Sequence, residues 1–107
     1  MKTGTIALGN ASIHINYSQV IPPNQRGKAR ELTEFHVPEA HRGKGEGSAL
    51  LQDVCDQADN EGLLLLITAD TPRLAEYYQR FGFVIIQQEN VIMLARSPKA
   101  ATYGQSE

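Results

Sequence analysis

Cysteine occurs once in these 107 residues, at Cys55, so no disulfide can form within the chain. That excludes the disulfide-stapled mini-proteins and makes a reducing, cytoplasmic setting the default expectation. Basic residues are not in excess: 10 Lys and Arg stand against 12 Asp and Glu, for a formal net charge of −2, and no basic run occurs. A nucleic-acid partner therefore has no electrostatic support, and a phosphate ligand must be held locally. Long apolar stretches are missing too. With no 18-residue apolar segment and no signal-peptide h-region, neither a membrane span nor a leader is expected. Catalytic signatures are equally sparse. There is no G-x-S-x-G, no H-E-x-x-H and no cysteine pair, and His36 and His41 lack further ligands at metal-binding spacing, so no metal site is expected.

What the chain does have is a globular balance, 41% hydrophobic and 21% charged. That suffices for a core in one domain, placed at residues 1–96, with a patternless, flexible tail over residues 97–107.

The chain is organised around Val37-Pro38-Glu39-Ala40-His41-Arg42-Gly43-Lys44-Gly45-Glu46-Gly47-Ser48-Ala49-Leu50-Leu51. A strand-like segment runs into a loop with glycine at every second position, and the loop opens into an amphipathic helix. Glycine permits positive φ and close approach of a ligand, while the first turn of a helix offers N–H groups with no intrahelical partner. This is a phosphate cradle. The helix dipole contributes about 0.3–1 kcal/mol per charge at an exposed site, so several amides together can hold a pyrophosphate. A P-loop would need Lys then Ser or Thr after its last glycine, whereas Lys44 precedes Gly45 and Ser48 follows Gly47. The dinucleotide spacing G-x-G-x-x-G is not met either.

Hydrophobic periodicity lays out the remaining elements. Thr5–Leu8 and Ser12–Tyr17 read as a hairpin across Gly9-Asn10, with Ile13, Ile15 and Tyr17 on the apolar face and Ser12, His14 and Asn16 on the polar one. Ser18–Lys28, with Pro22-Pro23, reads as a long connection. Ala29–Val37 reads as a third strand ended by Pro38, with Leu32, Phe35 and Val37 facing inward. A helix is expected from Lys44 or Glu46 to Glu61, stopped by Gly62, its buried stripe being Leu50, Leu51, Val54, Cys55 and Ala58. Cys55 is therefore read as packing. Leu63–Ile67 reads as a strand buried on both faces and parallel to the third, which makes a βαβ unit with a right-handed crossover. Thr71-Pro72 opens a second helix with Leu74, Ala75, Tyr78 and Phe81 on one face, ended by Gly82. Phe83–Gln88 and Val91–Ala95 close as a hairpin across Glu89-Asn90.

Arg42-Gly43-Lys44-Gly45-Glu46-Gly47 resembles the R/Q-x-x-G-x-G/A signature of the GNAT superfamily of acyl-CoA N-acyltransferases, together with the Val-Pro-Glu before it and the Ala-Leu-Leu after it. Tyr77-Tyr78-Gln79-Arg80-Phe81-Gly82-Phe83 resembles that family's later Tyr-x-x-x-Gly-Phe element, and the two together span about Glu31 to Phe83. The resemblance implies an α+β (α/β) fold: a mixed sheet, mostly antiparallel with a central parallel βαβ pair, and helices on the sheet faces. It implies transfer of an acetyl group from acetyl-CoA, as co-substrate, to a primary amine on a small molecule or a protein. For binding, it implies the backbone of Phe35, His36 and Val37 against the pantetheine arm. Arg42, Gly43, Lys44, Gly45, Glu46, Gly47 and Ser48 would hold the pyrophosphate, and Thr71 stands where the family usually has asparagine.

For catalysis it implies Glu31 as the proton acceptor, Glu34 as the neighbouring alternative, and Tyr78 as the acid for the departing thiolate. Each of these has a plainer reading beside it: surface carboxylates for the two glutamates, a core tyrosine for Tyr78. The chain also departs from the family. No amphipathic helical pattern precedes Glu31, where GNAT domains place two helices that help wall the acceptor site. A non-catalytic acyl-CoA-binding or protein-interaction module is therefore the second reading. A homodimer is admitted among the partners; nucleic acid and membrane are not.

Overall fold

The computed structural model describes residues 1–18 and 27–99. Its elements are β1 (Gly4–Leu8), β2 (Ala11–Asn16), β3 (Ala29–His36), a short 3₁₀ turn at Glu39–His41, α1 (Glu46–Glu61), β4 (Leu64–Ala69), α2 (Pro72–Gln79), β5 (Val84–Gln87) and β6 (Ile92–Arg96). Residues 19–26 of the predicted connection, and residues 100–107 of the predicted tail, lie outside the described residues. The start of that tail is docked: the Lys99 backbone N–H donates to Asp59 Oδ1 at 2.8 Å.

The strands form one sheet in the order β1-β2-β3-β4-β6-β5. Only β3 and β4 are parallel neighbours; every other adjacent pair is antiparallel. Because β6 is antiparallel to both β4 and β5, β4 and β5 run the same way. The connections β3-α1-β4 and β4-α2-β5 are thus both crossovers between parallel strands, and both step in the same direction across the sheet. Right-handed crossovers then put both helices on one face. The core agrees with this. The cross-strand row Ile15–Leu32–Ile67–Leu94 clusters with Leu50, Leu51 and Val54 of α1 and with Ala75 and Tyr78 of α2. Among the described residues no helix lies on the opposite face, where the register places Asn16, Glu31 and Thr33.

The helix ends are set by the residues expected to set them. Gly62 adopts φ 70°, and the Leu63 N–H returns to the Ala58 carbonyl at 2.8 Å, closing α1. Thr71 Oγ1 accepts from the Leu74 N–H at 3.1 Å, with Pro72 in the first turn of α2. Cys55 is fully buried, and burial pushes its thiol up to about 11, consistent with inert packing.

Two features escaped the sequence pattern. Tyr17, assigned to the apolar face, lies just past the end of β2 and is 50% exposed, with the Arg30 guanidinium 4.6 Å above its ring. Alternation fails there because the strand, which imposes it, has ended. The second is a partly buried ion pair: Arg96 donates to both Asp59 carboxylate oxygens, at 2.7 and 3.0 Å, and through Nε to the Phe81 carbonyl at 2.7 Å. One guanidinium thereby ties β6, α1 and the end of α2 together, and its hydrogen bonds hold the Asp59 carboxyl below its usual range.

The β1–β2 turn is coupled to α1. Gly9 has φ +61°, and a Cβ added there would meet the Glu46 carboxylate. Gly9→Ala should cost about 1 kcal/mol from the left-handed backbone and lower the melting temperature by about 4–8 °C in a domain of this size. Thermal unfolding followed by circular dichroism tests this; an unchanged midpoint would show that the turn relaxes freely.

Candidate acyl-CoA site

Beyond β3, Pro38 starts the 3₁₀ turn, whose hydrogen bonds run from His41 N to Pro38 O at 2.8 Å and from Arg42 N to Glu39 O at 3.3 Å. The Arg42 side chain folds back so that Nε donates to the Val37 carbonyl at 2.9 Å, bracing the loop against the strand end. Gly43 and Gly45 both adopt φ 83°, a left-handed conformation that glycine takes without steric cost, and Gly45 caps α1. The first intrahelical bond is Ala49 N to Gly45 O at 2.9 Å, so the N–H groups of Glu46, Gly47 and Ser48 have no intrahelical acceptor. Gly47 is required for a different reason. It is buried, and a Cβ on it would come within 2.8 Å of Val37 Cγ2 and 3.3 Å of Phe35 Cζ. Its lack of a side chain lets the helix start lie directly on the end of β3.

This loop borders a cavity of about 500 Å³ that also takes in Phe35, Val37, Leu74 and Tyr77. A second cavity of about 210 Å³ adjoins it and shares Phe35 and Leu74 as walls. It exists because the parallel ladder stops early. Strands β3 and β4 pair only from Ala29↔Leu64 to Leu32↔Ile67, although β3 runs on to His36 and β4 to Ala69. A bulge falls at the same place: Ser12 pairs with His36 but His14 with Thr33, and Glu34 in the excess stretch has φ 52°. Backbone groups of β3 that would face β4 are thereby open toward the cleft. Its walls carry Thr33, Glu34, Thr68, Asp70 and Tyr78.

Tyr78 is 3% exposed, its ring packed 6.3 Å from Phe35 and 6.1 Å from Phe83. Burial, with smaller contributions from Tyr77 and Asp70, pushes its phenol up to about 12. The group keeps its proton throughout the neutral range. It is at once a core residue and a wall of the cleft, so the two readings of Tyr78 are not exclusive.

Of the residues singled out in the sequence, Phe35, His36, Val37, Arg42, Gly43, Gly45, Glu46, Gly47 and Ser48 line the larger cavity, and Glu34 and Tyr78 the smaller. Three fall elsewhere. Lys44 is exposed and outside the cavity lining, and the Thr71 hydroxyl is engaged in capping α2. Glu31 lies within the paired part of β3, opposite Leu66 and Asn16, and borders a separate depression with Thr3, Asn16 and Tyr17. Glu46 lines the loop cavity, but its carboxylate turns toward Gly9, with Oε1 buried and lacking a hydrogen-bond partner.

The structure also brings in residues that sequence reasoning passed over: Asp70 on the β4 lip of the cleft, and Tyr77 beside the loop. Tyr77 OH and Ser48 Oγ are hydrogen-bonded at 2.7 Å. The adjacent Tyr77-Tyr78 pair was the available signal, since neighbours on a helix point about 100° apart and serve different surfaces.

Solved N-acetyltransferases share this fold. The N-acetyltransferase from Staphylococcus aureus Mu50 superposes with a TM-score of 0.66 at 18% identity, over 81% of this chain and 59% of that one. The GCN5-related N-acetyltransferase from Kribbella flavida gives 0.65 at 21% identity, over 81% and 59%. Tetrahymena GCN5 gives 0.67 at 13% identity, over 90% and 68%. The chain thus spans just under three fifths of the length of the two bacterial proteins. A comparison with curated proteins finds no match. The family model described as the acetyltransferase (GNAT) family matches residues 2–83, and the chain belongs to that family. Acyl transfer with acyl-CoA is the general chemistry of its members.

Proposed function

We propose that this protein transfers an acetyl group from acetyl-CoA to a primary amine by direct attack on the thioester. The observation that carries this reading is the parting of β3 and β4 next to three helix N–H groups without intrahelical acceptors. The residues present fit such a co-substrate. Amides of Gly43, Gly45, Gly47 and Ser48 suit a pyrophosphate, and the open β3 backbone from Phe35 to Val37 suits the amide-bearing pantetheine arm. Bound acetyl-CoA supplies the acyl group as an activated thioester.

The chain's own tasks are positioning and proton management. An alkylamine with pKa about 10.4 is neutral in only about one molecule in a few thousand at pH 7, equivalent to about 4–5 kcal/mol. A carboxylate of β3 gives the amine proton a path to bulk water. The cofactor pocket lies on the helix side of the sheet, which leaves the open face to the acceptor. Glu31 is on that face, one residue before the last paired position of the ladder, and takes the amine proton through water. Glu34, on the lip of the cleft, is the direct alternative. Tyr78 holds its proton at neutral pH and gives it to the leaving sulfur. Backbone N–H groups near Val37 polarise the thioester carbonyl. General acid or base catalysis contributes about 10²–10⁴-fold each, and holding the two substrates together supplies the larger remainder.

An acceptor screen with acetyl-CoA, reading released thiol, tests the assignment. Retained CoA binding with no turnover on any amine class would favour the non-catalytic module. Once an acceptor is found, Tyr78→Phe should lower kcat by about 10²-fold or more with little change in melting temperature, because only the hydroxyl is lost. Full activity in that variant would leave Tyr78 a core residue alone.

A further inference from the structure

The bond between Tyr77 OH and Ser48 Oγ, at 2.7 Å, joins the first turn of α1 to α2 across the larger cavity. Among the described residues no other side-chain hydrogen bond connects the two helices. Both residues line this cavity, and the Tyr77 ring is held from two sides, 5.8 Å from Tyr78 and 5.3 Å edge-on from Phe81. Its hydroxyl is therefore placed by aromatic packing and does not depend on Ser48 for its position.

We propose that Tyr77 is a positioning residue for the phosphate end of the co-substrate: it donates its hydrogen to Ser48 Oγ, which frees the Ser48 hydrogen for a phosphate oxygen. This rests on the acyl-CoA reading of the pocket. Between two hydroxyls, either can donate. A pyrophosphate accepts only, so once it binds, Ser48 must donate to it and Tyr77 must donate to Ser48. The directions in the chain Tyr77 O–H to Ser48 O–H to phosphate are then fixed, and each bond polarises and strengthens the next. Ser48, third in the helix, also presents its backbone N–H at the same end, so one residue offers two donors to one anion. Tyr77 makes no phosphate contact of its own and acts through Ser48.

The test is calorimetric binding of CoA, and of pantetheine, which lacks the pyrophosphate, to wild type, Tyr77→Phe, Ser48→Ala and the double variant, with melting temperatures alongside. Tyr77→Phe should weaken CoA binding about 3–10-fold and Ser48→Ala about 10-fold or more, as expected for hydrogen bonds to a charged group. The double variant should be no weaker than Ser48→Ala, and pantetheine binding should be unchanged throughout. In turnover, Tyr77→Phe should raise the acetyl-CoA KM and leave kcat alone. Wild-type CoA affinity in Tyr77→Phe overturns the proposal, as do additive losses in the double variant. An equal loss toward pantetheine also overturns it and makes Tyr77 a packing wall. A wild-type protein that binds no CoA would overturn the acyl-CoA reading itself, and the relay with it.

Discussion

Gly45→Glu should abolish measurable acetyl-CoA binding while leaving a folded protein. A Cβ at Gly45 meets no protein atom within 4 Å, so the substitution brings no internal clash. Its intrinsic cost is the left-handed backbone at φ 83°, about 1–2 kcal/mol, which a stable domain tolerates. The effect on the ligand is far larger. A side chain would stand where the backbone must approach the pyrophosphate, and its carboxylate would put negative charge at a helix start that otherwise favours anions. Gly47 makes the contrast, since a side chain there drives into Val37 and Phe35 and would disturb the fold along with the site. Calorimetry on a Gly45→Glu variant with a cooperative melt checks this. Unchanged CoA affinity would remove the glycine loop from the binding site.

The second large effect is expected at Glu31. If this carboxylate takes the amine proton through water, Glu31→Gln should lower kcat at pH 7 by about 10²-fold or more, and part of that loss should return as rising pH supplies neutral amine. Glu34→Gln should fall less and show a near-wild-type pH profile. The comparison has to be made with one accepted amine at saturating acetyl-CoA. A wild-type profile for Glu31→Gln beside a depressed one for Glu34→Gln would transfer the role to the cleft lip. Asp70→Asn belongs in the same series, since Asp70 shares that cavity with Tyr78. Wild-type profiles for all three would leave bulk water, or an amine that arrives neutral, as the proton sink.

The parts of this architecture that were legible in the sequence are those that short-range physics dictates. Gly43 and Gly45 announced a left-handed loop, Gly62 a helix stop and Thr71-Pro72 a helix start, and each does that in the structure. The buried stripe of α1 and the apolar run Leu63–Ile67 were legible in the same way, although β4 itself runs from Leu64 to Ala69 and takes in the exposed Thr68. Long-range geometry left no such mark. Nothing local shows that Glu34 occupies a bulge, because a glutamate at φ 52° is held there by the register of β2 against β3 and not by its own preference. The purpose of Gly47 was also hidden. It was grouped with two glycines that need positive φ, whereas it serves a close contact with Val37 and Phe35 that only the packed structure reveals. The Arg96–Asp59 pair joins residues 37 apart in sequence, and two charged residues so separated carry no signal of partnership.

The early end of the β3–β4 ladder also has a mechanical meaning. The sheet is two three-stranded leaves, β1-β2-β3 and β4-β6-β5, each antiparallel within itself and bound to the other along a spine of four residue pairs. Helix α2 rides mainly on the second leaf and reaches the first through the Tyr78–Phe35 ring contact, while α1 touches both. A hinge between the leaves would run along that spine as in the covers of a book, braced by α1 and by the Tyr78–Phe35 contact, with every register inside each leaf preserved. Widening the gap at such a hinge would load the Leu32–Ile67 row first, because it is the last pair before the strands part.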